Sequence, residues 1–224
     1  MSRVHDMGGR FGDGPVDPTD RDYPPRAEDW QKRALAVTLA GGALGAFSID
    51  MSRRARESVA PKDYARFSYY EKWMAGLTDV LVETGVLTEA DLVAAGGAAQ
   101  PLDPRALTAG AVPGLLARGG PADRPSDVTP RFAVGDAVIT ARPAANRLVD
   151  GGHTRLPAYA AGARGRVVIC HGAHVLPDSN AHGLGEAPEP LYAVAFPASE
   201  LWAAPEHPRD EVILDLWQSY LEPA

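Results

Sequence analysis

Four arginines stand in short segments where they could bind an anion. Three lie in MSRRARE and one in GHTRLPAY: Arg53, Arg54, Arg56 and Arg155. The guanidinium group is a rigid planar fork that suits anionic oxygens, so two converging groups would make a strong anion site. A solvated charged helix face is the competing interpretation for the first three. Because Pro157 restricts the backbone beside Arg155 and Tyr159 favours packing, we expect Arg155 to be held against an anion.

A metal site or a nucleophile with its base would require clusters that this sequence lacks. The nearest approach to a ligand set is in and after CHGAH: Cys170, His171, His174 and His182. Their spacing matches no closed zinc site. Neighbouring residues of a strand point to opposite faces, which argues against a Cys170–His171 catalytic pair, and no GxSxG segment is present. We therefore predict no metal ligands in this chain and a reactive centre supplied by another subunit.

The composition is typical of a folded protein of 224 residues, with 45% hydrophobic and 23% charged residues. A net charge of −7 and a pI near 5.3 argue against nucleic acid or an anionic membrane as a partner. The single cysteine, Cys170, excludes an internal disulfide. MSRVHDMGGRFGDG lacks the apolar run of a signal peptide, and ALAVTLAGGALGAF is too short and glycine-rich to span a bilayer. We expect a cytoplasmic protein without a membrane anchor.

The first half of the chain has the apolar period of helices, after an irregular arm that extends to about residue 25. Capping and proline signals predict three helices: Pro25 to about Leu39, a short helix after Ser48, and Pro61 to about Thr84 with Gly85 as C-cap. Shorter helices are expected from Thr88 and Asp103.

The long predicted helix has two apolar stripes. At 100° per residue, one stripe contains Phe67, Tyr70, Met74, Leu77 and Leu81, and the other contains Tyr69, Trp73, Gly76 and Val80. The first is an ordinary core stripe. The second, which is partly aromatic, either faces a partner or a ligand pocket or is buried because the helix is central.

The second half has the period of strands. GGPADRPSDVTP, residues 119–130, has the composition of a linker, and RFAVGDAVITAR, ARGRVVIC, LYAVAF and EVILDLW follow it as short segments separated by turn residues. We predict an α+β protein in which residues 1–120 form a helical domain with an extended arm. Residues 130–224 are predicted to form a small antiparallel β-barrel of the SH3-like kind.

Seven segments, in order along the chain, resemble the beta subunit of nitrile hydratase. They are VHDMGG from Val4, LGAFSID from Leu44, YYEKW from Tyr69, GHTRLPAY from Gly152, AHGLGEAPEPLYAVAF from Ala181, ELW from Glu200 and LDLWQSYLEP from Leu214. The likeness runs from residue 4 to the last residue. It is weakest between residues 94 and 130.

The resemblance implies a partner. In that family the arm of the helical domain embraces an alpha subunit, which holds a cobalt or iron ion through partly oxidised cysteines. It implies that Arg155 and Arg53 hydrogen-bond the oxidised cysteine oxygens, with Arg56 as the alternative to Arg53. Tyr69 would hydrogen-bond within the site, and Trp73 would form a wall of the substrate pocket and favour cobalt over iron. The assembly expected is an αβ heterodimer or an α2β2 heterotetramer.

The implied activity is the hydration of nitriles to amides. The ion would act as a Lewis acid, while a sulfenate oxygen or an activated water attacks the nitrile carbon. Two alternatives remain. One is a thiocyanate hydrolase subunit, although that family divides the corresponding region between two chains. The other is a non-catalytic activator or metallochaperone, although such proteins resemble the helical half alone.

Overall fold

The computed structural model describes residues 4–6, 28–94 and 103–224. The chain divides into two units, a helical unit of Arg10–Gly120 and a sheet unit that combines Met1–Gly9 with Pro121–Ala224. Most of the predicted arm, residues 1–25, lies outside the described residues. Of that arm, residues 4–6 are described, and the Asp6 carboxylate accepts a hydrogen bond from the Ala158 amide at 2.8 Å within the sheet unit.

The described part of the helical unit contains six α-helices: α1 Asp29–Ala43, α2 Ile49–Glu57, α3 Pro61–Arg66, α4 Tyr69–Glu83, α5 Glu89–Val93 and α6 Val112–Arg118. The predicted start signals are confirmed where side chains cap the helices. The Ser48 hydroxyl accepts from the Met51 amide at 3.2 Å, and Thr88 accepts from the Asp91 amide at 3.3 Å. Gly85 follows α4 with a φ of +70°, the left-handed conformation of a C-terminal glycine.

The prediction of one continuous helix from Pro61 to Thr84 is wrong, because the structure divides this segment into α3 and α4. Phe67 is extended, with φ −70° and ψ 136°, and Ser68 opens a new helix. Ser68 and Glu71 form a reciprocal capping box, in which the Glu71 carboxylate accepts from the Ser68 amide at 2.7 Å. The sequence SYYE therefore contained a start signal inside an otherwise continuous helical pattern.

The core of the helical unit lies between α2 and α4. Its buried members are Ala55, Leu77, Val80 and Leu81, and partly buried Phe47, Met51, Met74, Val86 and Leu87 pack around them. Gly76 lies at the crossing of the two helices. A Cβ atom there would lie 2.6 Å from Arg56 Cγ and 2.9 Å from the Arg56 amide nitrogen, so a side chain at this position would push α2 away.

The sheet unit contains five strands: β1 Ala137–Thr140, β2 Arg164–His174, β3 Glu189–Pro197, β4 Glu211–Trp217 and β5 Leu221–Pro223. All pairings are antiparallel, and the order in the sheet is β4-β3-β2-β1-β5. The four predicted strand segments are confirmed, and β5 is an addition to them. β4 and β5 are the two edges, so the described pairings do not close a barrel, and an SH3-like barrel is not confirmed.

The core of the sheet unit contains side chains with almost no exposure, among them Val138, Val167, Tyr192, Phe196, Leu216 and Leu221. Two four-residue helices, α7 Pro177–Asn180 and α8 Ala198–Leu201, and a 3₁₀ turn at Gln218–Tyr220 lie between the strands. Across the described ranges, no helix combines the length and the apolar character needed to cross a membrane.

Candidate functional site

Helix α2 carries three arginines whose side chains have different surroundings. The Arg53 guanidinium donates from Nη1 to Asp50 Oδ1 at 2.9 Å, one turn earlier on the same helix. The Asp50 carboxylate is buried, whereas the Arg53 side chain keeps 37% of its surface exposed. A buried carboxylate thus fixes one edge of the guanidinium while the rest of the group remains available to another anion.

The side chains of the other two arginines of α2 contact residues of the helical unit. Arg54 donates from Nη2 to Glu83 Oε1 of α4 at 2.7 Å. Arg56 donates from Nε to the Ser52 carbonyl at 3.0 Å, and its guanidinium lies over the Trp73 ring at 4.8 Å from the centroid. Burial lowers the pKa of Arg56. The structure thus gives Arg54 and Arg56 roles in holding α2 to α4, which distinguishes them from Arg53.

The second apolar stripe of α4 has two different halves. Gly76 and Val80 are buried beneath α2, as expected for a helix that is covered on both sides. Tyr69 stays 47% exposed, and its ring lies 5.3 Å from that of Trp73. The exposed aromatic part is therefore confined to the first turns of α4. Tyr69, Trp73 and the arginines of α2 belong to one unit, and Arg155 belongs to the other.

The Arg155 segment places an exposed arginine between buried residues. His153 and Leu156 are 1% and 2% exposed, whereas Arg155 is exposed. The Arg155 amide donates to the Tyr220 hydroxyl at 3.2 Å. Within the described parts of the chain, the Arg155 guanidinium has no hydrogen bond or ion pair. The loop therefore fixes the backbone of Arg155 and presents its cationic group outward.

A buried polar cluster lies behind this loop. The Tyr220 hydroxyl donates to Asp178 Oδ1, and both residues are buried. Asn146 donates from Nδ2 to the His153 carbonyl at 2.6 Å and to the Asp178 carbonyl at 2.9 Å. The His153 amide donates to His182 Nε2 at 3.0 Å. Hydrogen bonds from separate parts of the sheet unit thus converge on residues 153–155 and hold them in place.

Sequence reasoning missed this cluster. Tyr220 belongs to LDLWQSYLEP, and Asp178 follows Pro177 in VLPDSNAHG. The three residues, Asn146, Asp178 and Tyr220, stand in polar or turn-rich segments, so no local signal shows that they are buried, where polar groups require partners. Their sequence separation, 42 residues between Asp178 and Tyr220, hides the pairing until the fold is known.

Burial is the main cause of unusual titration in the cluster. It raises the pKa of Asp178 from 3.8 to about 6, against the opposing effects of hydrogen bonds with Tyr220 and Thr154. Burial, together with the adjacent Asp178 carboxylate, also raises the pKa of Tyr220. Asp178 is therefore a carboxyl group whose charge state changes in a mildly acidic range.

We expect the Asp178→Asn substitution to change how stability depends on pH. A raised carboxyl pKa means that the folded state holds the proton more tightly than the unfolded chain, so this contribution is present below about pH 4 and is lost as pH rises to about 6. Relative to Asp178→Asn, the wild-type free energy of unfolding should fall by about 2 to 3 kcal/mol across that range. Urea unfolding of both proteins at several pH values measures it, and parallel curves would contradict the titration.

The sequence predicts that this chain's own side chains do not bind a metal ion. Cys170 is exposed, and His171 Nε2 lies 3.0 Å from Asp215 Oδ1. In residues 4–6, 28–94 and 103–224, no three His, Cys, Asp or Glu side chains are grouped so that they could hold a metal ion. Among the described residues, Arg53 in one unit and Arg155 in the other have guanidinium groups suited to an anion.

Comparison with protein families gives two consecutive matches along the chain. Residues 1–112 match the family described as nitrile hydratase beta subunit, N-terminal, and residues 121–223 match nitrile hydratase beta subunit, C-terminal. Together the matches leave residues 113–120 and the last residue unmatched. They include every site residue predicted from the sequence.

Similar proteins match over all or nearly all of their lengths. The low-molecular weight cobalt-containing nitrile hydratase subunit beta of Rhodococcus rhodochrous is 37% identical, with 100% of each chain covered. Nitrile hydratase subunit beta of Pseudomonas putida is 36% identical with the same coverage. The cobalt-containing subunit beta of Pseudonocardia thermophila is 33% identical over 99% of this chain and 96% of that protein.

Among solved structures, a chain of the recombinant apo-enzyme of thiocyanate hydrolase from Thiobacillus thioparus is similar to part of this protein. It is 28% identical and covers 43% of this chain and 78% of its own length, with a TM-score of 0.38.

Proposed function

The chain belongs to the nitrile hydratase beta subunit family, and we propose that it is the beta subunit of an enzyme that hydrates nitriles to amides. The observation that carries this proposal is the match over the whole length, in both halves and in order. An isolated activator would have no need of the sheet unit with its GHTRLPAY loop. The chain acts together with an alpha subunit, as an αβ heterodimer or an α2β2 heterotetramer in the cytoplasm.

The metal of this proposed enzyme is cobalt, bound by the alpha subunit. Two of the similar proteins are named cobalt-containing, which favours cobalt over iron. The described residues of this chain group no set of metal ligands, so the ligating thiolates are assigned to the partner. When bound, the ion supplies a Lewis acid for the nitrile. This chain supplies hydrogen-bond donors and a binding surface.

Each unit contributes one arginine to the partner's oxidised cysteines. Arg155 suits this role because its backbone is anchored while its guanidinium is exposed and bonded to none of the described residues. Arg53 suits it because buried Asp50 fixes one edge of the guanidinium and leaves further N–H donors available. Sulfenate and sulfinate oxygens are anionic acceptors that a planar fork recognises well.

Tyr69 and Trp73 form the aromatic part of the proposed substrate site. Tyr69 is 47% exposed at the start of α4, so its hydroxyl can donate to a group of the assembled site. Trp73 packs against the Arg56 guanidinium and the Tyr69 ring, and these contacts restrict the orientation of its indole. A fixed aromatic wall suits the apolar body of a nitrile.

Two architectural expectations belong to the same proposal. The sheet unit is the SH3-like barrel of the family, with β4 and β5 as the strands at its open edge. The functional domains are residues 1–120 and 130–224, and the N-terminal arm embraces the alpha subunit.

An assay of the αβ complex with alternative substrates tests the proposal. We expect a short aliphatic nitrile to be converted to its amide and thiocyanate to be left unchanged. Removing this chain after metal loading should abolish amide formation, because it supplies part of the site. Consumption of thiocyanate alone would indicate the hydrolase alternative, and full activity of the metal-loaded alpha subunit by itself would indicate an activator.

A further inference from the structure

The backbone amide of Arg155 is bonded to a buried hydroxyl. Its amide donates to the Tyr220 hydroxyl at 3.2 Å, while Leu156 beside it is buried in the core. Tyr220 is 4% exposed and belongs to the same core cluster. The Tyr220 hydroxyl therefore bonds the core of the sheet unit to the backbone of Arg155, whose side chain is exposed.

The Tyr220 hydroxyl is itself held in one orientation. Its proton is donated to Asp178 Oδ1, which leaves its lone pairs for the Arg155 amide and the Thr154 side chain. Asn146 holds the Asp178 backbone and the His153 backbone together through a single side-chain nitrogen. Because the hydroxyl proton points at Asp178, the oxygen lone pairs have fixed directions. The hydrogen bonds between Asp178 and Tyr220 and between Tyr220 and Arg155 therefore specify where the Arg155 backbone lies.

We infer that Tyr220, oriented by Asp178, is a positioning residue that sets the place of the Arg155 guanidinium in the αβ complex. The inference rests on the proposed function of Arg155. Tyr220 contacts neither substrate nor metal, because its hydroxyl is buried and bonded to Asp178, Thr154 and the Arg155 amide. Its effect on turnover passes through the arginine.

The chain offers a matched control in Tyr192. Its hydroxyl is also buried, accepts from the backbone amide of another arginine, Arg131, at 3.1 Å, and donates to Gln218 Oε1 at 2.9 Å. Arg131 has no proposed role in the site, and its guanidinium pairs with Glu222 at 3.3 Å. Each substitution, Tyr192→Phe or Tyr220→Phe, removes a buried hydroxyl from the same core. Only Tyr220→Phe removes the hydroxyl that accepts the hydrogen bond of the Arg155 amide.

The test compares these two variants in the full αβ complex. Amide hydrogen exchange is followed for the peptide that covers residues 153–158, and kcat and KM are measured with a nitrile substrate. For Tyr220→Phe we expect exchange in that peptide to rise and kcat to fall by about 10-fold or more, with KM changed by less than about 3-fold. Tyr192→Phe should lose comparable thermal stability and leave both the peptide and kcat close to wild type.

Several outcomes overturn the inference. Equal kcat losses in the two variants would reduce Tyr220 to a structural hydroxyl, and unchanged exchange at residues 153–158 would show that it does not hold the loop. If Tyr220→Phe fails to assemble, Asp178→Asn replaces it with the same readouts, since a neutral acceptor orients the phenol less strongly. An inactive wild-type complex would contradict the proposed function, while the exchange comparison would still decide whether Tyr220 holds the loop.

Discussion

Replacing Arg155 by lysine is expected to lower kcat for nitrile hydration by about 100-fold or more, with the αβ complex still formed. Lysine keeps the positive charge, but its ammonium group cannot reproduce the planar fork that donates to two oxygens at once. The backbone anchor does not involve the side chain, because the Arg155 amide, not its guanidinium, bonds to Tyr220. The loss should therefore appear in turnover rather than in stability.

Arg166→Lys is the control for that experiment, since Arg166 is another exposed arginine of the sheet unit, on β2. We expect this control to keep wild-type kcat. Steady-state kinetics, thermal unfolding and size-exclusion chromatography of both variants separate turnover from folding and assembly. Wild-type turnover in Arg155→Lys would remove Arg155 from the site.

The second large effect is expected for Arg53→Lys, again a fall in kcat of about 100-fold. Lysine can keep the ion pair with buried Asp50, so the helical unit should remain stable while the second anion contact proposed for the guanidinium is lost. The structure makes Arg53 a better candidate than Arg56, whose guanidinium is occupied over the Trp73 ring.

Parallel substitutions on α2 decide between the two arginines. Arg56→Lys should change kcat by less than about 5-fold, since a cation over an aromatic ring is partly replaceable by lysine. Arg54→Lys, which alters the ion pair with Glu83, should behave in the same way. A large loss in Arg56→Lys together with normal kinetics in Arg53→Lys would transfer the role to Arg56.

Local signals in the sequence predicted most of the elements but not where the long helix divides, and the α-helix expected from Asp103 begins only at Val112. Ser48, Thr88 and Gly85 act through the backbone of their own turns, so their effects can be read from neighbouring residues. Ser68 and Glu71 form an equally local capping box, but the apolar period continues through them and concealed it. The three-residue strand β5 gives too little periodicity to be detected.

The second stripe of α4 shows what periodicity leaves open. Gly76 and Val80 are buried because α2 crosses α4 at the glycine, whereas Tyr69 lies beyond that crossing and stays exposed. A helical wheel assigns all of them one direction and contains no information on where a neighbouring helix ends. The division of the stripe into a buried and an exposed half follows from the tertiary packing.

The neighbours of Arg155 in sequence suggested that it is a site residue, but they gave no sign of the residue that holds its backbone. Pro157 and Tyr159 indicated an ordered segment around it, whereas Tyr220, 65 residues away, supplies the acceptor for its amide. Such pairings depend on which turns the sheet brings together. Family resemblance suggested the role of the arginine, and the structure identifies the buried residues that hold its backbone.

The most direct test of the account is to purify this chain with an affinity tag under mild conditions and to analyse what remains bound to it. We predict a second chain in equal amount that carries cobalt on oxidised cysteines, and a complex that converts a nitrile to its amide. A protein that purifies alone, without metal and without nitrile hydration, would contradict the assignment of this chain as the beta subunit of a nitrile hydratase.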